Sequence, residues 1–143
     1  MERDSCGLSE KVCVTFPGQF MFLNNPSFRY VRTDAGGVRV FSLAEDLVWD
    51  ASLNGGSCCV RVPAGFETDF ASVPRLFWRL FPPIGDWMRA AAMHDYLYEK
   101  TRASKALADA MFWEGLIADD VSAWTRRLMY WAVRLFGGRK RGF

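Results

Sequence analysis

The spacing of apolar residues changes along this chain, from a period of two to a period of about 3.6, after the proline-bounded loop from Pro63 to Pro74. A period of two puts alternate side chains on one face of a strand, and 3.6 puts them on one face of a helix. Before the loop, Val12-Cys13-Val14-Thr15-Phe16 reads as a strand ended by Pro17-Gly18, and Phe20 to Leu23 is a second apolar run. Phe28-Arg29-Tyr30-Val31-Arg32 and Val38-Arg39-Val40-Phe41 flank Thr33-Asp34-Ala35-Gly36-Gly37, a hairpin signal. Leu43 to Trp49 reads as a short strand or one helical turn, and Cys58 to Val62 as the last strand.

After Pro82-Pro83 three helices are expected: Asp86 to about Lys100, Ser104 to Ile117, and Ser122 to Phe136, the last ended by Gly137-Gly138. Ser104 is a candidate N-cap, because its hydroxyl can accept from an orphan amide of the first turn. A shorter helix is expected from Arg75 to Leu80. The fold class is therefore α+β, with a small N-terminal antiparallel sheet followed by a bundle of about three helices. The 143 residues form one domain in this reading: a strand-rich half over 12–62, a helical half over 74–137 and a basic tail over 138–143.

Composition narrows the classes. Half of the residues are apolar and 24% are charged, which excludes global disorder. Twelve Phe and six Trp imply an aromatic core or an aromatic interface. Net charge is only +2, yet six basic and no acidic residues follow Asp120. No apolar run is long enough for a membrane span, and the charged opening Met1-Glu2-Arg3-Asp4 leads to the expectation of no secretion signal. Cys6, Cys13 and the adjacent Cys58-Cys59 fit reduced thiols better than disulfides or a zinc knuckle. There is no phosphate-binding glycine loop or nucleophile elbow.

The chemistry-bearing residues gather around the only histidine. If the first two long helices fold back on each other, His94 and Asp109 fall at similar heights about the turn at Thr101. Asp109 would then hold one ring nitrogen while the other takes a proton from water. Tyr98 lies one turn beyond His94. Asp95 and the loop residue Asp69 would offer carboxylate oxygens to a hard cation, calcium or magnesium, with Thr68, Ser72 and Arg102 in support. The same cluster also fits a buried polar network, with Arg102 and Lys105 neutralising Asp95, Glu99 or Asp109. Catalysis requires His94 to be accessible. Burial behind Phe70 and Trp78 favours the network.

In the last helix Trp124, Leu128, Trp131 and Leu135 share a face, with Arg127 and Arg134 off it. Packing on the preceding helices is the simplest role for that face. Docking of partner chains by Trp124, Trp131, Arg127 and Arg134, together with Arg139, Lys140 and Arg141 of the tail, is the alternative. The interleaved Arg75-Leu76-Phe77-Trp78-Arg79 is explained by helix packing as well as by base stacking, so nucleic acid is the least favoured partner.

At Thr68-Asp69-Phe70-Ala71-Ser72-Val73-Pro74 and His94-Asp95-Tyr96-Leu97-Tyr98 the sequence resembles a family of uncharacterised proteins of tailed phages and prophages. The likeness runs over about 12–118, through Arg102, Asp109 and Phe112, and Tyr130-Trp131-Ala132-Val133-Arg134 is similar to members with a third helix. It implies synthesis in a host cytoplasm, a place among late structural genes, virion association, and tail or other virion proteins as partners. His94-Asp95, Tyr98 and Asp109 also resemble, more distantly, the pattern of phospholipases A2. That likeness implies His94 as the base activating water, Asp95 as a calcium ligand and Asp109 as the group orienting His94. Asp69 would take over part of the role of the glycine-rich calcium loop, which this sequence lacks. The expected function is a phage accessory protein with a cation-assisted hydrolytic site acting on lipid or cell-envelope bonds. The alternative is a noncatalytic tail or baseplate component.

Overall fold

The computed structural model describes residues 21–50, 59–70, 79–80, 85–101 and 103–137. The expected strand at 12–16, most of the expected helix at 75–80, Ser72, Trp78, Arg102 and the tail residues Arg139, Lys140 and Arg141 lie outside them.

The architecture is α+β, with strands on the N-terminal side and three helices following. The strands are β1 (Met21–Phe22), β2 (Phe28–Thr33), β3 (Arg39–Leu43), β4 (Leu47–Asp50), β5 (Cys59–Val62) and β6 (Glu67–Thr68). They form two three-stranded antiparallel sheets rather than one, in the orders β1-β4-β5 and β2-β3-β6. The split follows from β4, whose four residues are all buried as the central strand of the first sheet, while β3 is central in the second. The two-residue β6 has too few positions to display a period, and pairs Thr68 with Phe41.

Local chemistry explains the β2–β3 hairpin. Asp34 Oδ1 accepts from the amides of Gly36 (2.9 Å) and Val38 (2.8 Å), and Gly37 takes a φ of 74°, a left-handed conformation that glycine adopts without a Cβ clash.

The helices are α1 (Met88–Lys100), α2 (Lys105–Ala118) and α3 (Ala123–Phe136). Serine caps open two of them: Ser104 Oγ accepts from Leu107 N at 3.2 Å and Ser122 Oγ from Thr125 N at 3.4 Å. Gly137 closes α3. α1 and α2 form an antiparallel hairpin with an unusually close approach. Ala90, Ala91 and Ala92 are fully buried, and a Cβ placed on Gly115 would lie 2.9 Å from Ala90 Cβ and 3.3 Å from Met93 Cε. Leu43, Leu47, Trp49, Val62 and Phe70 from the sheet side meet Met93, Leu97, Phe112, Leu116, Met129 and Val133 in one core.

Arg89 ties three parts of this core together. It pairs with Asp119 at the end of α2, donates from Nη1 to Asn24 O at 2.9 Å, and lies 4.6 Å from the Phe22 ring centroid. Burial pushes the Asp119 carboxyl up to about 6, against the opposing pull of Arg89.

Because backbone-bearing atoms face Gly115, Gly115→Ala must push the two helices apart. We expect a loss of about 1–3 kcal/mol in chemical denaturation. A neutral result would show that the helices do not approach this closely.

Candidate functional site

The α1–α2 register brings His94 and Asp109 together. The His94 ring donates through Nε2 to Asp109 Oδ1 at 2.8 Å, and both residues are 0% exposed. Asp109 uses its other oxygen for cations: Lys105 Nζ donates to Oδ2 at 2.6 Å, and Arg134 Nη1 lies 3.4 Å away. Lys105 Nζ also reaches the carbonyls of Val133 (3.3 Å) and Arg134 (3.1 Å), the negative end of α3. One carboxylate thus joins all three helices.

On the other side of the imidazole, His94 Nδ1 lies 3.8 Å from Asp95 Oδ1. Asp95 Oδ2 accepts from the Thr68 hydroxyl at 2.5 Å, and Thr68 Oγ1 accepts from Phe70 N at 3.1 Å. This chain of contacts links α1 to the segment after β6. The Tyr98 ring stacks on His94, with centroids 6.2 Å apart and planes 9° apart, and Phe112 packs at 5.4 Å. Asp95 (3% exposed), Thr68 and Tyr98 are also buried.

Burial alone would favour a neutral imidazole. Hydrogen bonds and charge from Asp109 and Asp95 outweigh it and hold the His94 pKa above its ordinary 6.5. Burial likewise raises Asp109, but His94 and Lys105 more than offset it and hold the carboxyl below 3.8. Both shifts favour an imidazolium–carboxylate pair in the core. A base that takes protons from water needs a free nitrogen facing solvent, and a fully buried ring has none.

The expected reach between His94 and Asp109 is therefore present, whereas the accessibility that catalysis requires is not. Lys105 neutralises Asp109 as the network reading anticipates. Asp95 is engaged by Thr68, Asp69 lines a cavity elsewhere with Arg39 and Arg79, and among the described residues no three His, Cys, Asp or Glu side chains are placed to hold a metal ion.

The face of α3 expected to pack inward points outward. Trp124, Trp131 and Leu135 are 71%, 58% and 68% exposed, while Met129, Ala132 and Val133 on the other side are buried and Leu128 is partly buried against the core. Arg127 and Arg134 are exposed beside the aromatic stripe. The contact of Arg134 with Asp109 and the Arg89–Asp119 pair had no direct signal in the sequence. An arginine in the first turn of α1, where the helix dipole disfavours it, was the available hint of a nearby acid.

His94→Leu removes a charge partner from a buried carboxylate and should cost about 3–5 kcal/mol. Because the folded His94 pKa is raised, its contribution is full below pH 6.5 and is lost as pH rises through the folded value. The contribution of Asp109, whose pKa is lowered, is present above pH 3.8 and lost as pH falls through its folded value. The stability gap between wild type and His94→Leu, from urea titrations, should be widest between pH 3.8 and 6.5. A gap independent of pH would contradict the charged pair.

A sequence profile described as "Protein of unknown function (DUF1353)" matches residues 41–133. Uncharacterized protein y4jT of Sinorhizobium fredii (strain NBRC 101917 / NGR234) is 31% identical over 133 residues, which cover 92% of this chain and 38% of that protein. The chain thus spans well under half the length of this relative. No solved structure matches the chain.

Proposed function

The chain belongs to the family of unknown function DUF1353, and we propose that it is a noncatalytic structural or assembly component of a phage or prophage particle that docks a partner protein on α3. The observation that carries this reading is the outward stripe Trp124, Trp131 and Leu135. Helices of monomeric proteins bury such residues, and a contiguous exposed aromatic patch is the usual core of a protein interface. Beside the stripe lies a groove of about 430 Å³ lined by Ala110, Trp113, Glu114, Arg127, Tyr130 and Trp131. Trp113 is held at its wall by edge contact with Tyr130 at 5.4 Å and by the Arg126 guanidinium at 5.5 Å. α3 carries Arg126, Arg127 and Arg134 and no acidic residue, so the complementary partner face is apolar with acidic flanks. The buried His94 network supports this role by fixing α3 against the hairpin. The phage setting rests on the likeness of the Thr68–Pro74 and His94–Tyr98 motifs.

The test is co-sedimentation with particles after induction of a prophage encoding the chain. Wild type is expected in the particle or assembly-intermediate fractions. Trp124→Ser/Trp131→Ser should be lost from them while retaining wild-type thermal stability, since both side chains are exposed. Equal sedimentation of the variant, or wild type absent from every assembly fraction, would contradict the proposal.

The distance between His94 and Asp109 favours a second reading, a cation-assisted hydrolase of lipid or cell-envelope bonds. It requires an opening motion that exposes His94 and gathers Asp95 and Asp69. Calorimetric titration with calcium checks it: binding weaker than about 1 mM, the weak end of protein calcium sites, would remove it.

A further inference from the structure

We propose that the cavity between the β2–β3 hairpin and the start of α1 is a binding site for a small organic anion with a flat, apolar body. The cavity has a volume of about 380 Å³ and is lined by Gly37, Arg39, Phe41, Asp69, Phe70, Arg79 and Trp87. That volume lies within the ~300–1,000 Å³ typical of small-molecule sites, and the mixture of an apolar wall with a few convergent charges is their usual character.

The apolar wall is rigid. Phe41, Phe70 and Trp87 are each buried, with Phe70 centred 5.7 Å from Phe41 and 5.4 Å from Trp87. Phe70 has a φ of 51°, a left-handed conformation that is uncommon for a residue with a bulky side chain. It is held there by the hydrogen bond that its backbone N–H donates to Thr68 Oγ1, and Thr68 donates to Asp95 of α1. Backbone held in a disfavoured conformation by its surroundings is concentrated at ligand-contacting positions. Here it aims an aromatic ring into a cavity wall.

The charged rim selects the ligand. Arg39 and Arg79 come from separate segments of the chain and are exposed. Among the described residues, Arg32, Arg61, Arg89 and Arg134 have carboxylate partners, whereas Arg39 and Arg79 have none. Two guanidinium groups at one cavity suit a carboxylate, phosphate or sulfonate, to which each can offer paired donors. Flat rings stack on the aromatic wall and on guanidinium planes. This site is independent of α3 and of partner docking.

Anilinonaphthalene sulfonate supplies both features, a sulfonate and flat rings. Fluorescence titration of the whole chain should show one saturable site. Arg39→Ala/Arg79→Ala should weaken it at least about tenfold, as expected for the loss of two charge-assisted contacts. Phenylnaphthylamine, which lacks the sulfonate, should bind the wild type about tenfold more weakly, and excess inorganic phosphate should compete with the dye. Trp124→Ser/Trp131→Ser should leave dye binding unchanged. The proposal is overturned if the arginine variant binds as wild type does, if the neutral dye binds equally well, or if only the α3 variant loses binding. Absence of saturable binding up to roughly 1 mM dye also overturns it. Both arginines are exposed, so their replacement leaves the core intact.

Discussion

The Asp109 carboxylate is the contact on which the arrangement of the three helices depends. One oxygen holds His94 of α1 and the other holds Lys105, which in turn caps the end of α3. A buried charge is costly unless every lone pair and proton is matched, and the penalty for removing one partner is larger than the net worth of the pair. Such a group makes only one packing arrangement acceptable. Helices that slid by a turn would leave a carboxylate and an imidazolium unmatched in the core. Gly115 and Ala90 act in the same direction through sterics, since only their small side chains allow the hairpin to close to this distance.

The residues most suggestive of catalysis, His94 and Asp109, are fully buried and bonded to each other. His94 lies between the carboxylates of Asp109 and Asp95 and packs against the rings of Tyr98 and Phe112. The two surfaces proposed for recognition lie elsewhere: the aromatic and basic side of α3, and the cavity at Arg39 and Arg79. Thr68 connects core and surface, because it holds both Asp95 and the backbone of Phe70. The Thr68–Pro74 motif and the His94–Tyr98 motif thus meet in space through one hydroxyl.

Much of this was legible in the sequence because short-range chemistry controls it. The change of period located the helices, and Ser104, Ser122 and Gly137 marked helix ends within a residue or two of those observed. Counting outward from Thr101 was enough to pair His94 with Asp109, since residues equidistant from a tight helical turn face each other. Exposure was not legible. α3 has two apolar faces, Trp124–Trp131–Leu135 and Met129–Val133, and periodicity states which residues share a face without stating which face meets the core. The larger rings suggested burial, but smaller side chains were needed for close approach to the hairpin. The division into two sheets and the Arg89–Asp119 pair were hidden for a related reason, because both depend on contacts between residues far apart in the chain.

An NMR titration of the imidazole nitrogens in the folded protein reads directly whether His94 is a charged, buried partner of Asp109. The doubly protonated ring should be the major form at pH 6.5, with the midpoint above this ordinary value. A midpoint at or below 6.5, with one nitrogen free and exchanging rapidly with solvent, would contradict it and return His94 to the role of an accessible base.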